Sequence, residues 1–298
     1  SAAIAAAQAG HAVTVFEAAR ALGGRARAVP VTLPDGSPTV LDNGQHILIG
    51  AYTATLQLMS RLGVDADTVL QAQPLALPFA DGTGLRTPAW AARWPAPMDA
   101  LAAICSTPGW SWRDKAALIA ASLRWQVQGF RCDPALTVAK LCERLPRRVC
   151  DELIEPLCVS ALNTPASRAS AAVFLRVLKD ALFGRGHGHH SGSTLLLPRA
   201  HLGALLPEPA RVWLQARGAE MRLGQRVLAL SGTEDGRWRL DGDTFDRVLL
   251  ATPPGETARL LQAALPWVPQ ARDWIAQALA LRFEAIATVY CQADRPLP

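Results

Sequence analysis

The chain has 298 residues, half of them hydrophobic and 18% charged, with a formal net charge of +5. Such a chain can bury a large core in one to two domains, as a globular protein does. The positive balance comes from scattered arginines, with Lys115, Lys140 and Lys179 the only lysines, and the lack of a basic run with interleaved aromatics argues against a nucleic-acid partner.

In chain order, the first element is an alanine-rich helix, SAAIAAAQAG, closed by Gly10. Ser1 has the chemistry of an N-cap, but a strand and a glycine-rich turn are what such a helix normally follows. We therefore expect the chain to begin inside the helix, and Arg295-Pro296-Leu297-Pro298 to lack a closing element. Gly10 suits the left-handed position that ends a helix. Val13 to Glu17 reads as a strand ending on an acid, followed by a short basic turn and Gly23-Gly24-Arg25. Helix, glycine stop, strand and terminal acid make the second half of a dinucleotide-binding βαβ unit. There the acid accepts hydrogen bonds from the ribose hydroxyls of an adenine nucleotide.

Asn43-Gly44-Gln45-His46 is a polar run in an otherwise apolar strand-to-helix passage. Such a run fits a backbone facing a ligand, or a turn with Gly44 at positive φ. His46 is the one group in it able to donate a proton near neutral pH.

From Pro74 to about Ser193 the pattern is helical, in the pieces LAAICSTPGW, KAALIAASLRWQVQGF and LTVAKLCERL, punctuated by Pro108, Gly109, Pro134 and Pro146. Five of the nine tryptophans fall here: Trp90, Trp94, Trp110, Trp112 and Trp125. They are candidates for a lipid tunnel, a membrane-facing rim or plain core. Apolar runs such as Ala116 to Leu123 stop well short of the roughly 18 residues a spanning helix needs. The six cysteines have no C-x-x-C spacing, so buried reduced thiols are expected and metal ligation is not. His187, His189 and His190 lie in a glycine-rich stretch with no evident partner ligand and read as a mobile loop rather than a metal site.

After Ser193, strand patterns return in EMRLGQRVLALSG and GRWRLDGDTFDRVLLATPP. The first predicts a strand over Gln225 to Leu230, and the second ends at Ala251-Thr252-Pro253-Pro254.

The acid, basic turn and G-G-R at Glu17, Arg20, Gly23, Gly24 and Arg25 resemble the flavin amine oxidase and phytoene desaturase superfamily. LDNGQHILIGAY (Leu41 to Tyr52), EPLCVSALNTP (Glu155 to Pro165), FLRVLKDALFG (Phe174 to Gly184) and the run from Leu195 to Val227 resemble, within it, the squalene-associated FAD-dependent desaturases, or hydroxysqualene dehydroxylases. The resemblance implies an α/β, glutathione-reductase-type FAD-binding domain over residues 1–73 and 194–256. It would be interleaved with a mostly helical α+β substrate domain over 74–193 and 257–298. It implies FAD held by Glu17, Arg20, Gly23, Gly24, Arg25, Asn43, Gly44, Gln45, Val227, Ala251 and Thr252, with the Val227 backbone pairing the adenine and residues 43–46 beside the flavin ring. It further implies a long isoprenoid substrate, His46 as a catalytic candidate, peripheral contact with a membrane, a cytoplasmic location and an electron donor that no motif specifies. A carotenoid-type desaturase, an amine oxidase and a prenyl-binding escort protein are the alternatives within the same architecture.

Overall fold

The computed structural model describes residues 1–44, 46–78, 84–95, 97–184 and 186–293. They divide into two compact units, each built from two stretches of chain: Ser1–Asn43 with Leu202–Ala285, and Gly44–His201 with Ile286–Pro298. These bounds differ from the expected 73/74, 193/194 and 256/257 for a physical reason. Leu48–Ile49 and Leu70–Gln73 both pair antiparallel with Leu195–Pro198 in one sheet, so residues 44–73 belong with the helical stretch. Helix Pro254–Ala263 packs instead on helix Arg272–Ala280 and on the Leu230–Gly232 strand of the first unit.

In the first unit, helix Ala2–Gln8 buries Ile4 and lies against helix Pro207–Gln215. Ser1 makes no side-chain cap bond. The helix ends as its glycine predicts. Gly10 stands at φ +84°, its N–H donates to Ala7 O at 3.1 Å, and His11 N–H donates to Ala6 O at 3.1 Å; together these close a Schellman cap. The chain then enters strand Thr14–Glu17, which pairs in parallel with Glu220–Leu223, Thr14 opposite Glu220 and Glu17 opposite Leu223. A hairpin, Ala28–Thr32 with Pro38–Asp42, follows the first strand. A three-stranded antiparallel sheet, Leu230–Gly232, Trp238–Leu240 and Asp243–Phe245, follows the second. Its core gathers Leu230, Leu240, Leu260 and Ala264 with Phe16, Val227 and Phe245.

The expected strand over Gln225 to Leu230 is a correction: only Leu230 enters the ladder, and residues 225–229 are irregular. Side chains have taken the backbone groups that a ladder would use. The Asp241 carboxylate accepts the Leu228 and Ala229 N–H groups at 3.0 and 2.7 Å, and the Arg259 guanidinium donates to the Val227 and Leu228 carbonyls at 2.8 and 2.9 Å.

The second unit is mostly helical. Met98–Ser106 and Trp112–Val127 realise the first two periodic pieces seen in the sequence, whereas the third, LTVAKLCERL, forms only the short helix Val138–Leu141; Ala171–Phe183 adds a further helix. Ser111 and Asp114 cap the second of these reciprocally, which satisfies two amides that a helix start leaves open. Residues 147–162 run as one helical stretch with a π turn at Cys150–Ile154, just before Pro156. A proline has no N–H for the i−4 carbonyl and its ring crowds that turn, so the widened turn accommodates it. The core is Trp125, Val138, Cys142, Val149, Ile154, Cys158, Phe174 and Leu175. Burial pushes the Cys142 thiol up to about 12 and raises Cys150 and Cys158 as well, so these cysteines are protonated apolar packing.

Phe174 is fully buried in this cluster. Phe174→Ala should cost about 3–5 kcal/mol in denaturant unfolding, whereas Val127→Ala, at an exposed position, should stay within about 0.5 kcal/mol. Equal shifts of the two midpoints would contradict this core.

Candidate functional site

The site assembles in the first unit around the C-terminal end of strand Thr14–Glu17. Glu17 is half-buried, and its Oε1 accepts the Ala19 N–H at 2.8 Å. One carboxylate oxygen is thus restrained by the turn the acid itself begins, and its remaining acceptor capacity is left for a donor outside the turn. The backbone closes the turn against the partner strand: Gln225 N–H donates to Glu17 O at 3.0 Å and Gly224 N–H to Ala19 O at 2.8 Å. Gly224, at φ +72°, lies against the Arg20 side chain. It was not among the sequence candidates, although a glycine directly after a strand is the signal that marks it.

Ala26 N–H donates to Gly23 O at 2.9 Å, making a tight turn with Gly24 and Arg25 at its centre. The two glycines differ. Gly23 has φ +113°, and a Cβ there would stand 2.7 Å from Ala26 O and 3.1 Å from Pro207 Cγ. Gly24 has φ +58°, and a Cβ there would meet nothing within 4 Å. Gly23 is required by the packing of the turn. Gly24 keeps its outer side bare, as a closely approaching ligand requires. The Gly24 and Arg25 amides donate to no described residue, and Arg25 and Arg20 are exposed. Two adjacent free amides beside a guanidinium suit an anion.

The D-N-G-Q-H run meets this turn through its first residues. Asn43 N–H donates to Arg27 O at 2.8 Å, and its Nδ2 donates to Arg25 O at 3.4 Å. Asp42 accepts the Leu202 N–H at 2.7 Å, which ties the end of the hairpin to the start of helix Leu202–Leu205. The aspartate was passed over as a site residue, yet it anchors the segment. Gly44 has φ +87°, as a turn at that position requires. His46 is exposed and makes no hydrogen bond or ion pair with any described residue. Gln45 lies outside the described residues.

Val227 follows the Gly224 turn. Its carbonyl accepts from Arg259, and its half-buried N–H has no partner among the described residues. Thr252 is exposed and tied by its hydroxyl to Thr257 at 2.7 Å, while Ala251 is exposed. Glu256 joins the two elements, with Arg226 at 3.4 Å and Arg259 at 3.2 Å. Sequence reasoning had no route to Arg259, because its partner Val227 lies 32 residues away. Between the paired strands and the Asp243–Phe245 strand, Arg222 bonds Glu220 and Asp243 and stacks on Phe16 at 4.9 Å. The hydrogen bond to Glu220, and then that to Asp243, raises the Arg222 pKa further, and the same bond holds the Glu220 carboxyl below its usual range. The residues present therefore fit an adenine dinucleotide: Glu17 for a ribose, the Gly24–Arg25 amides for a pyrophosphate and the Val227 amide for a base edge.

The profile of the family described as flavin containing amine oxidoreductase matches residues 1–298. The chain is 29% identical over 276 residues to a hydroxysqualene dehydroxylase of Rhodopseudomonas palustris, covering 88% of this chain and 60% of that protein. It is 26% identical over 279 residues to the hydroxysqualene dehydroxylase of Sinorhizobium fredii, with the same coverages of 88% and 60%. The chain thus spans about 60% of the length of these curated relatives. Among solved structures, an oxidoreductase from Methanosarcina mazei superposes with a TM-score of 0.64 at 13% identity, covering 94% of this chain and 62% of that one. A putrescine oxidase double mutant from a redesign of cofactor binding superposes at 0.55 and 17% identity, covering 87% and 57%. The fold is the FAD-binding oxidoreductase fold.

The contrast between the glycines is measurable. Gly24→Ala should destabilise the protein by about 1–2 kcal/mol, the cost of a left-handed L-residue. Gly23→Ala should cost more, up to about 3 kcal/mol, because strain and a backbone clash add. A larger loss at Gly24 than at Gly23 in urea unfolding would contradict the turn.

Proposed function

The chain belongs to the flavin containing amine oxidoreductase family, and from that premise we propose that it acts with FAD to reduce a long isoprenoid allylic alcohol, hydroxysqualene, to squalene. The observation that carries this reading is the meeting, in one unit, of the Glu17 carboxylate, the Gly23–Gly24 turn and Asn43 of the D-N-G-Q-H run, in a chain whose curated relatives are named hydroxysqualene dehydroxylases.

In this reading the first unit is the nucleotide-binding part. Glu17 would accept a hydrogen bond from a ribose hydroxyl, the Gly24 and Arg25 amides and the Arg25 guanidinium would hold the pyrophosphate, and the Val227 amide would face the adenine. Bound FAD, in its reduced form, supplies the hydride. The overall change breaks the allylic C–O bond and makes a C–H bond. The hydroxyl leaves as water with one added proton, the substrate gains two electrons and the flavin loses them. His46, with an imidazole exposed to solvent and free of protein partners, is the proton donor we assign. Turnover would need a separate electron donor to restore the reduced flavin.

A nearly insoluble hydrocarbon must be taken from a membrane. Among the described residues no helix is long and apolar enough to cross one. In the second unit Trp112 is 74% exposed, and Trp90 and Trp94 are exposed as an edge-to-face pair at 5.0 Å. Arg93, Arg113 and Arg124 are exposed near them in sequence. Aromatic rings flanked by arginines suit the interface of an anionic bilayer, and we propose peripheral docking there, on the cytoplasmic side. Trp110 and Trp125 do not share this role. Both are buried, Trp110 with its Nε1 donating to Glu152 at 2.7 Å.

Three outcomes are expected. Glu17→Gln keeps an oxygen for the Ala19 amide but removes acceptor capacity, so FAD affinity of the purified protein should fall by about 1–3 kcal/mol; unchanged affinity would sink the ribose assignment. Anaerobic holoprotein carrying reduced flavin should convert hydroxysqualene to squalene, one per flavin. Phytoene oxidation, amine oxidation or a colourless protein would point instead to a desaturase, an amine oxidase or an escort protein. Flotation with liposomes should rise with anionic lipid and fall in Trp90→Ser and Trp112→Ser. Binding indifferent to both would remove the docking surface.

A further inference from the structure

We propose that Asp67, His189 and His190, in the second unit, form a binding site for a divalent transition metal such as zinc. The flavin reading uses none of these residues, and the proposal stands independently of it. The histidine-rich loop carries no partner ligand in its own sequence, which is why it reads as a mobile loop from the sequence alone. The fold supplies the partner from 122 residues upstream of His189 in the form of Asp67, and one nitrogen of each imidazole and one oxygen of the carboxylate all lie within 4.8 Å of one another.

The distances that let His190 hydrogen-bond to Asp67 also suit a metal held between them. His190 Nε2 lies 3.1 Å and His189 Nε2 3.6 Å from the same oxygen, Asp67 Oδ1. Donors bound to zinc at about 2.0–2.1 Å in a tetrahedron stand about 3.3 Å apart, between the two observed values. The rings themselves are tilted against each other with centroids 4.1 Å apart. Two neutral imidazoles and one carboxylate converging on a divalent cation satisfy all three groups.

The framework is also closely packed. The His190 side chain is only 9% exposed, and the His190 backbone N–H donates to His187 O at 3.0 Å. Gly186 packs so closely that a Cβ there would stand 1.8 Å from His190 O, and a Cβ at Gly50 would stand 2.0 Å from Ser191 O. Gly50 and Ala51 amides donate to Thr194 and Gly192 carbonyls at 2.9 and 3.0 Å. On the other side, Asp67 sits in the first turn of helix Ala66–Val69, where Asp65 does the capping, accepting the Asp67 N–H at 3.1 Å and the Thr68 hydroxyl at 2.8 Å. The Asp67 carboxylate is thus left to face the histidines. His189 and Asp67 are exposed on one side, so metal can enter and a water can complete the coordination. Bound metal would tie the Ala66–Val69 turn to the loop that leads into strand Leu195–Pro198.

The test is calorimetric titration of the metal-free full chain with ZnCl2, and with CoCl2 to read the visible spectrum of bound cobalt. We expect one equivalent of each to bind, cobalt with the intense absorption of a four-coordinate site. His189→Ala and Asp67→Asn should each weaken binding at least about tenfold, while His187→Ala leaves it unchanged. His189 and Asp67 are exposed, so unaltered thermal melts without metal should show both variants folded. If one does not fold, the other carries the test. No saturable binding to the wild-type chain would overturn the site, as would binding of equal strength in folded His189→Ala or Asp67→Asn.

Discussion

The arrangement of the first unit depends on one parallel pairing, that of Thr14–Glu17 with Glu220–Leu223. The paired residues lie 206 positions apart, so the chain must meet a large loop-closure cost before this contact forms. Once formed, it decides the rest. It sets Glu17 opposite Leu223, so that the turns after the two strands lie side by side and bond each other through Gln225 and Gly224. It carries Phe16 onto Phe245 at 5.9 Å and under the Arg222 guanidinium. The acid with its glycine pair and the Val227 segment come from distant parts of the sequence, and this register brings them side by side in one unit.

Side chains then do what strand ladders do elsewhere. Asp241 and Arg259 hold residues 227–229 by their amides and carbonyls. Asp42 holds the start of helix Leu202–Leu205, and Asn43 holds Arg25. Such bonds fix a backbone without consuming all its hydrogen-bonding groups, and the Val227, Gly24 and Arg25 amides are left over. A nucleotide site needs backbone donors that are positioned but unpaired, and a complete ladder would have taken them.

The sequence was most legible where the signal is local. Gly10 at a helix end, the acid ending a strand and the G-G-R turn all depend on a few neighbouring residues, and each sits where its chemistry predicts. The alternating pattern over Gln225 to Leu230 misled, because it could not register the competing claims of Asp241 and Arg259. The unit boundaries were displaced because no local pattern shows that Leu48–Ile49 and Leu70–Gln73 share Leu195–Pro198 as their partner. The histidine loop shows the same limit: its acidic neighbour is a product of the fold and has no trace in the surrounding sequence.

The central claim, that the end of the Thr14–Glu17 strand and the segment beside it hold the nucleotide, is most directly tested by amide hydrogen exchange of the purified protein with and without FAD. The account predicts FAD-dependent protection concentrated in peptides covering Glu17–Arg27 and Gln225–Leu230, with the Trp238–Phe245 hairpin unchanged. Uniform exchange in both peptides despite bound FAD, or protection confined to the hairpin, would contradict it.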